Sequence, residues 1–116
     1  MPVFAAIPML PVSNLDDAQK YYVDVLGFEV DYRYQNHAGL HLGDGFIRLR
    51  EVGLHDSNSG SAYFICADIE PLYDSLKARK AIIRKELSTA ADGNSNFIVR
   101  DLDGNELIFA SETVAD

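Results

Sequence analysis

Few side chains in this chain have the chemistry and spacing to do more than fold it. The stretch Asp101-Leu102-Asp103-Gly104-Asn105-Glu106-Leu107-Ile108-Phe109 puts acids on and just after a tight turn, and Glu106 heads the strand that follows. A carboxylate there is a candidate metal ligand. His37 and His41 stand four apart. On a helix that spacing makes a metal pair, but the segment reads as strand, where four residues span about 13 Å. Two ligands of one zinc lie within roughly 3–4 Å of each other, so these histidines do not share an ion. His55 falls in a polar linker. Arg48 and Arg50 offer guanidinium forks suited to a carboxylate or phosphate. Cys66 is the one thiol and has no basic neighbour in sequence to activate it. Ser61 lacks the motif around a nucleophile elbow, and Gly43-Asp44-Gly45 is a turn rather than a phosphate loop. No nucleophile–base pair declares itself.

The elements that must carry these residues alternate in a regular way. Val3–Val12 is apolar but interrupted by Pro8 and Pro11, which marks an edge or irregular strand. Ser13 or Asn14 caps a helix with Asp16 and Asp17 in its first turn, and Ala18, Tyr21, Tyr22, Val25 and Leu26 recur at helical spacing up to Gly27. Phe28, Val30, Tyr32 and Tyr34 alternate with Glu29, Asp31 and Arg33 as a strand. Leu40–Leu42 and Phe46–Glu51 form a hairpin about the GDG turn. After the linker at 53–60, Ser61–Ala67 reads as a strand, and Asp68 caps a second helix that buries Leu72, Tyr73 and Leu76 and closes on Lys77, Arg79 and Lys80. A short strand starts at Ala81–Ile83, a polar stretch covers Ser88–Ser95, and Asn96–Arg100 pairs with Glu106–Ser111 about the turn at 103–105.

With 116 residues, 47% of them apolar, the sequence is expected to fold as one domain over 1–116. A net charge of −8 argues against nucleic acid as partner, because phosphate binding needs a basic surface. No run of about 18 apolar residues is present to span a membrane. The N-terminus lacks the basic region of a signal peptide, and a single cysteine leaves no intramolecular disulfide; both readings lead to an expectation of a cytoplasmic protein.

The chain repeats itself. Residues 12–22 match 66–76 at an offset of 54, and 42–49 match 102–109 at an offset of 60. Two strand–helix–three-strand units are therefore expected, the first over about 4–52 and the second over about 61–111, with a short C-terminal tail. The motif VSNLDDAQKYYVDVLGFEV, together with VRDLDGNELIFAS, resembles the glyoxalase, bleomycin-resistance and extradiol-dioxygenase superfamily, the vicinal oxygen chelate fold, over residues 4–111. Length and acidity look most like its bleomycin-resistance branch. The resemblance implies an α+β fold of two tandem βαβββ modules forming a curved mixed sheet. It also implies a homodimer with ligand grooves at the interface.

Metal-using members of that superfamily take ligands from four corresponding positions. Carried across, these fall on Ile7, Arg48, Ser61 and Ile108, none of which is a usable ligand for a divalent cation. Glu106 lies two residues from the expected carboxylate, a shift of about 7 Å along a strand. No metal, cofactor or catalytic residue is therefore assigned. If those positions face a cavity, so do their neighbours of the same parity: Ile7; Phe46, Arg48 and Arg50; Ser61 and Tyr63; Glu106 and Ile108. Tyr32, Tyr34 and His41 are candidates to join them. The alternate parity, from Leu10, Val12, Ile47 and Leu49 to Phe64, Cys66, Leu107 and Phe109, is apolar, as a helix-covered face must be. For several candidates a second reading stays open. Arg48 and Arg50 serve equally as edge-strand charges, Glu106 as an ion-pair partner of one of them, and Tyr63 as an interface residue.

Three functions fit. The first is a non-enzymatic protein that binds and sequesters a drug-type, bleomycin-like small molecule, an antibiotic-resistance role by resemblance. The second is a metal-dependent lyase or dioxygenase of the same superfamily. The third is a metabolite-sensing subunit of a larger assembly.

Overall fold

A computed structural model of the chain describes residues 2–53 and 58–112. His55 lies outside them. The first module runs β1 (Met9–Val12), α1 (Leu15–Asp24), β2 (Glu29–Arg33), β3 (His37–Leu42) and β4 (Gly45–Glu51). The second runs β5 (Ser61–Ile65), α2 (Ile69–Ala78), β6 (Ile82–Thr89), β7 (Ser95–Arg100) and β8 (Glu106–Ser111). The fold is α+β, and the sheet surface is laid out as two four-stranded mixed sheets, ordered β1-β4-β3-β2 and β5-β8-β7-β6. In each, the first strand pairs parallel to the last and the other pairings are antiparallel. Met9 pairs with Arg48 and Tyr63 with Ile108, so the two offsets of the sequence repeat carry one strand register onto the other. The body measures 43 × 41 × 24 Å, a flat slab of sheet and helix layers. Among the described residues, no helix is long and apolar enough to cross a membrane.

Local chemistry explains most of the element ends. Asn14 caps α1 by accepting from the Asp17 amide at 2.9 Å, and the Glu51 carboxylate accepts from the Leu15 amide at 2.8 Å. The β3–β4 turn has two central residues, with Gly43 at φ 59, the position where this hairpin class requires glycine. Asp68 sits at the N-cap of α2 but makes no capping hydrogen bond. Two expectations need correction. The first strand begins at Met9, not Val3, and Ile7 precedes it: Pro8 has no N–H for the ladder, and only its carbonyl is used, by the Arg48 amide. Where a stub at 81–83 and a polar stretch from 88 were expected, β6 runs eight residues. It is an edge strand, and its charged residues are the kind that protect an edge from further pairing.

Alternation along the strands separates a helix-covered face from an open one. Leu10, Val12, Leu40, Ile47, Leu49, Leu107 and Phe109 are all buried under the helices. A chain of ring contacts crosses both modules in this layer, from Tyr22 through Phe28, Phe64, Phe109 and Phe97 to Tyr73, with centroid separations of 5.0–5.9 Å.

The DLDGN turn ties the modules together. Among the described residues, Asp101 and Asn105 are the buried polar ones. The Asp101 carboxylate accepts from the Asp103 and Asn105 amides, both at 2.9 Å, and from Asn105 Nδ2 and the Tyr22 hydroxyl, both at 2.8 Å. Asn105 Nδ2 also donates to the Pro11 carbonyl at 2.8 Å, and its Oδ1 accepts from the Gly60 amide at 2.7 Å. One side chain thereby holds β1 and the entry to β5. Tyr21 adds a second bridge, donating to the Arg100 carbonyl and accepting from the Ile82 amide, each at 2.9 Å. Burial pushes the Asp101 carboxyl above its usual range, while the hydrogen bonds from Asn105, Tyr22 and the two amides hold it down.

Four donors converge on an acceptor-only group, so Asp101→Asn must set an N–H₂ against buried donors. It should cost about 3 kcal/mol in urea unfolding, against about 1 kcal/mol for Tyr22→Phe, which leaves three donors in place. Equal losses would contradict this arrangement.

Candidate functional site

The open face of the first sheet carries Tyr32, His41, Phe46, Arg48 and Arg50, and two backbone features put Tyr32 there. A β-bulge interrupts β2 between Val30 and Tyr32: Val30 pairs with Leu40, and Tyr32 with Gly39. Leu40 and Gly39 face opposite sides, so the bulge turns Tyr32 onto the open face despite its period-two spacing from Val30. Gly39 is the second feature. A Cβ built there would lie 2.3 Å from Tyr32 Cε1, so only glycine lets the phenol ring lie flat on the sheet. The Arg48 guanidinium, on the strand beside Gly39, sits 5.7 Å from the centroid of that ring.

Neighbouring rows extend the surface. His37 pairs with Arg50, and its ring contacts Tyr34 and Tyr32 at 4.9 and 5.5 Å. Its Nδ1 is buried without a hydrogen-bond partner. On the other side, His41 pairs with Phe46, their rings 5.6 Å apart. His41 Nδ1 meets Asp31 at 2.6 Å and Nε2 meets Glu29 at 3.0 Å. The Asp31 hydrogen bond leads in raising the imidazole pKa, which favours the doubly protonated ring that can donate to both acids. Among the described residues, neither Arg48 nor Arg50 has a carboxylate partner.

The second sheet arranges its candidates differently. Glu106 forms ion pairs with Arg84 and, at 3.4 Å, with Arg100, its directly paired neighbour on β7. The alternative left open for this acid, an ion pair with Arg48 or Arg50, is not the one formed: guanidiniums of its own sheet satisfy it. Ser61 is exposed beside Glu106, and Ile108 is half-buried between Tyr63 and Ile98. Tyr63 is 57% exposed, its hydroxyl donating to Glu112 at 3.1 Å. It borders a cleft of about 560 Å³ that runs between the Gly43–Gly45 turn and β5, walled by Phe64, Leu72 and Phe109. Cys66 also lines this cleft, and burial pushes its thiol pKa up, away from a reactive thiolate. The cleft and the aromatic face thus draw on different candidates, and the Asp31 and Glu29 contributions were not read from the sequence.

The metal positions implied by the resemblance fail on donor chemistry. Two alkyl side chains, a guanidinium and a hydroxyl do not hold a divalent cation, and Glu106 is engaged by two arginines. Among the described residues no group of three or more His, Cys, Asp or Glu side chains is arranged to hold a metal ion; Asp31 and Glu29 are turned onto the two ring nitrogens of His41 instead.

The comparisons with known proteins agree with this fold. The profile of the Glyoxalase/Bleomycin resistance protein/Dioxygenase superfamily matches residues 5–109. The bleomycin resistance determinant encoded on transposon Tn5 superposes with a TM-score of 0.83 at 20% identity, covering 97% of this chain and 100% of that one. TioX from Micromonospora sp. ML1 gives 0.80 at 23% identity, covering 94% and 99%. The bleomycin-binding protein of Streptomyces verticillus, solved with copper(II)-bleomycin, gives 0.79 at 22% identity, covering 97% and 99%. At such identities the likeness is one of fold. A search of curated proteins finds no match.

Gly39→Ala should lift the Tyr32 ring off the sheet, abolish the ring-current shift of the Arg48 side-chain protons in NMR, and cost about 1–2 kcal/mol of stability. Unchanged Arg48 resonances would contradict the packing described. Elemental analysis of protein purified without chelator should find less than about a tenth of an equivalent of zinc, iron, nickel or manganese; a stoichiometric ion would overturn the ligand argument.

Proposed function

The chain belongs to the Glyoxalase/Bleomycin resistance protein/Dioxygenase superfamily, and we propose that within it this protein binds and sequesters a flat, drug-type small molecule without transforming it, on open sheet faces assembled in a homodimer. The carrying observation is the shelf made by Tyr32 lying on Gly39 beneath Arg48 and flanked by His37 and Tyr34. Rings presented flat on a rigid sheet, with few placed polar groups, suit stacking on a planar ligand. Nothing in the arrangement pairs a nucleophile with a base, which is why binding is preferred to turnover.

Several further observations support the reading. Phe46, Tyr63 and Ile65 are 50%, 57% and 65% exposed on the open sheet faces, apolar side chains of the kind a partner surface covers. A second copy covering part of it would enclose a groove. The bleomycin-resistance and bleomycin-binding neighbours make drugs of that type the first ligands to try.

Calorimetry with flat aromatic drugs, bleomycin among them, should give saturable heat for at least one, with the ligand recovered chemically unchanged after prolonged incubation. A transformed ligand would contradict sequestration. No heat with bleomycin, joined to no protection of DNA from cleavage, would remove that drug from consideration.

A further inference from the structure

We infer that the open face of the first sheet selects a flat aromatic anion, its ring against Tyr32 and its carboxylate between Arg48 and Arg50. This rests on the binding reading above and adds the charge of the ligand. Arg48 and Arg50 are two apart on β4, so their side chains leave the same face about 7 Å from each other. That spacing lets two guanidinium forks converge on one carboxylate. The chain carries 18 acidic residues against 10 lysines and arginines, yet among the described residues no acid has been brought to either arginine. On the second sheet the comparable open face satisfies its charges internally, through Glu106 with Arg84 and Arg100. The first sheet therefore keeps two cations in reserve beside its aromatic shelf.

The face is also polarised. Along β4 the order is Phe46, Arg48, Arg50, and on β3 the partners are His41, Gly39 and His37. The acids Glu29 and Asp31 stand at the His41 end, bound to that imidazole. A planar ligand set against Tyr32 thus meets the two guanidiniums at one end and, at the other, two carboxylates sharing one imidazole, which fixes the direction of its anionic group. The net charge of −8 attracts cations only at long range, where salt screens it, whereas the guanidiniums act at contact. Contact decides the selectivity.

The test uses one ring system in three charge states. On the full chain, calorimetry compares naphthalene-2-carboxylate, naphthalene-2-carboxamide and 2-naphthylmethylammonium, with amide chemical shifts mapping where each binds. The carboxylate should bind at least about tenfold tighter than the carboxamide, with the ammonium weakest and the shifts centred on Tyr32, His37, Gly39 and Arg48. R48M and R50M, which keep an unbranched apolar stem, should each erase most of that preference while the thermal midpoint stays put, and R48K should restore part of it. A carboxylate no tighter than the carboxamide, or a preference that survives both substitutions, overturns the inference. Equal binding of all three on this face overturns the charge selection alone and leaves the binding reading standing. Shifts on this face from none of them remove both. If the substitutions weaken self-association and leave carboxylate binding untouched, the arginines belong to a subunit contact and the inference fails.

Discussion

A single buried carboxylate organises this molecule. Asp101 lies in the turn between β7 and β8, yet its oxygens are filled by groups from α1, from its own turn and from Asn105. Taking a carboxylate out of water costs several kcal/mol unless donors replace the lost hydration. Four donors do so here, and that requirement is what makes the junction specific. Three of those donors belong to the turn itself and one, the Tyr22 hydroxyl, to the first module, so a shift of one module against the other would break that bond and the one from Asn105 to Pro11; polar satisfaction thereby adds to the apolar layer in aligning the two halves. Asn105 extends the constraint to β1 and to the residue before β5, the edge strands of the two sheets.

With the modules fixed through their helix-covered faces, both open faces are left to do something else. What the first sheet does with its open face comes from irregularities rather than from regular pleat. The bulge in β2 reverses the facing of Tyr32, and Gly39 gives the ring a flat seat. These features sacrifice some regular pairing and side-chain packing, and in return they hold an aromatic ring and a guanidinium in a defined relation on a sheet that is itself rigid. The second sheet has the same register but answers its own charges, which makes the two halves of the repeat chemically unequal.

Much of the fold could be read from residue patterns. The cap at Asn14, the stop at Gly27, the hairpin turn beginning at Gly43 and the whole of β8 follow from local chemistry that tertiary context did not override. The parity separating Ile47 and Leu49 from Phe46, Arg48 and Arg50 was equally legible, because period two on a half-buried strand is hard to disguise. What was hidden depended on long-range partners. β6 looks like a charged linker until an adjacent strand is supplied. Tyr21 and Tyr22 read as apolar helix-face residues, and nothing nearby announces that their hydroxyls reach residues about eighty positions away. The ion-pair partners of Glu106 were not legible, because arginines on the other module look as eligible in sequence as Arg100 does. The bulge had no signal at all beyond an apparently regular alternation.

Native-state hydrogen exchange followed residue by residue under increasing denaturant tests most directly whether the Asp101–Asn105 junction makes one cooperative body of two repeats. The amides of Gly60 and Asn105, each held by a junction side chain, should merge with those of β4 and β8 into one unfolding isotherm. If β4 of the first module exchanges at a distinctly lower free energy than β8 of the second, with the junction amides opening first, the modules are merely neighbours and the account fails.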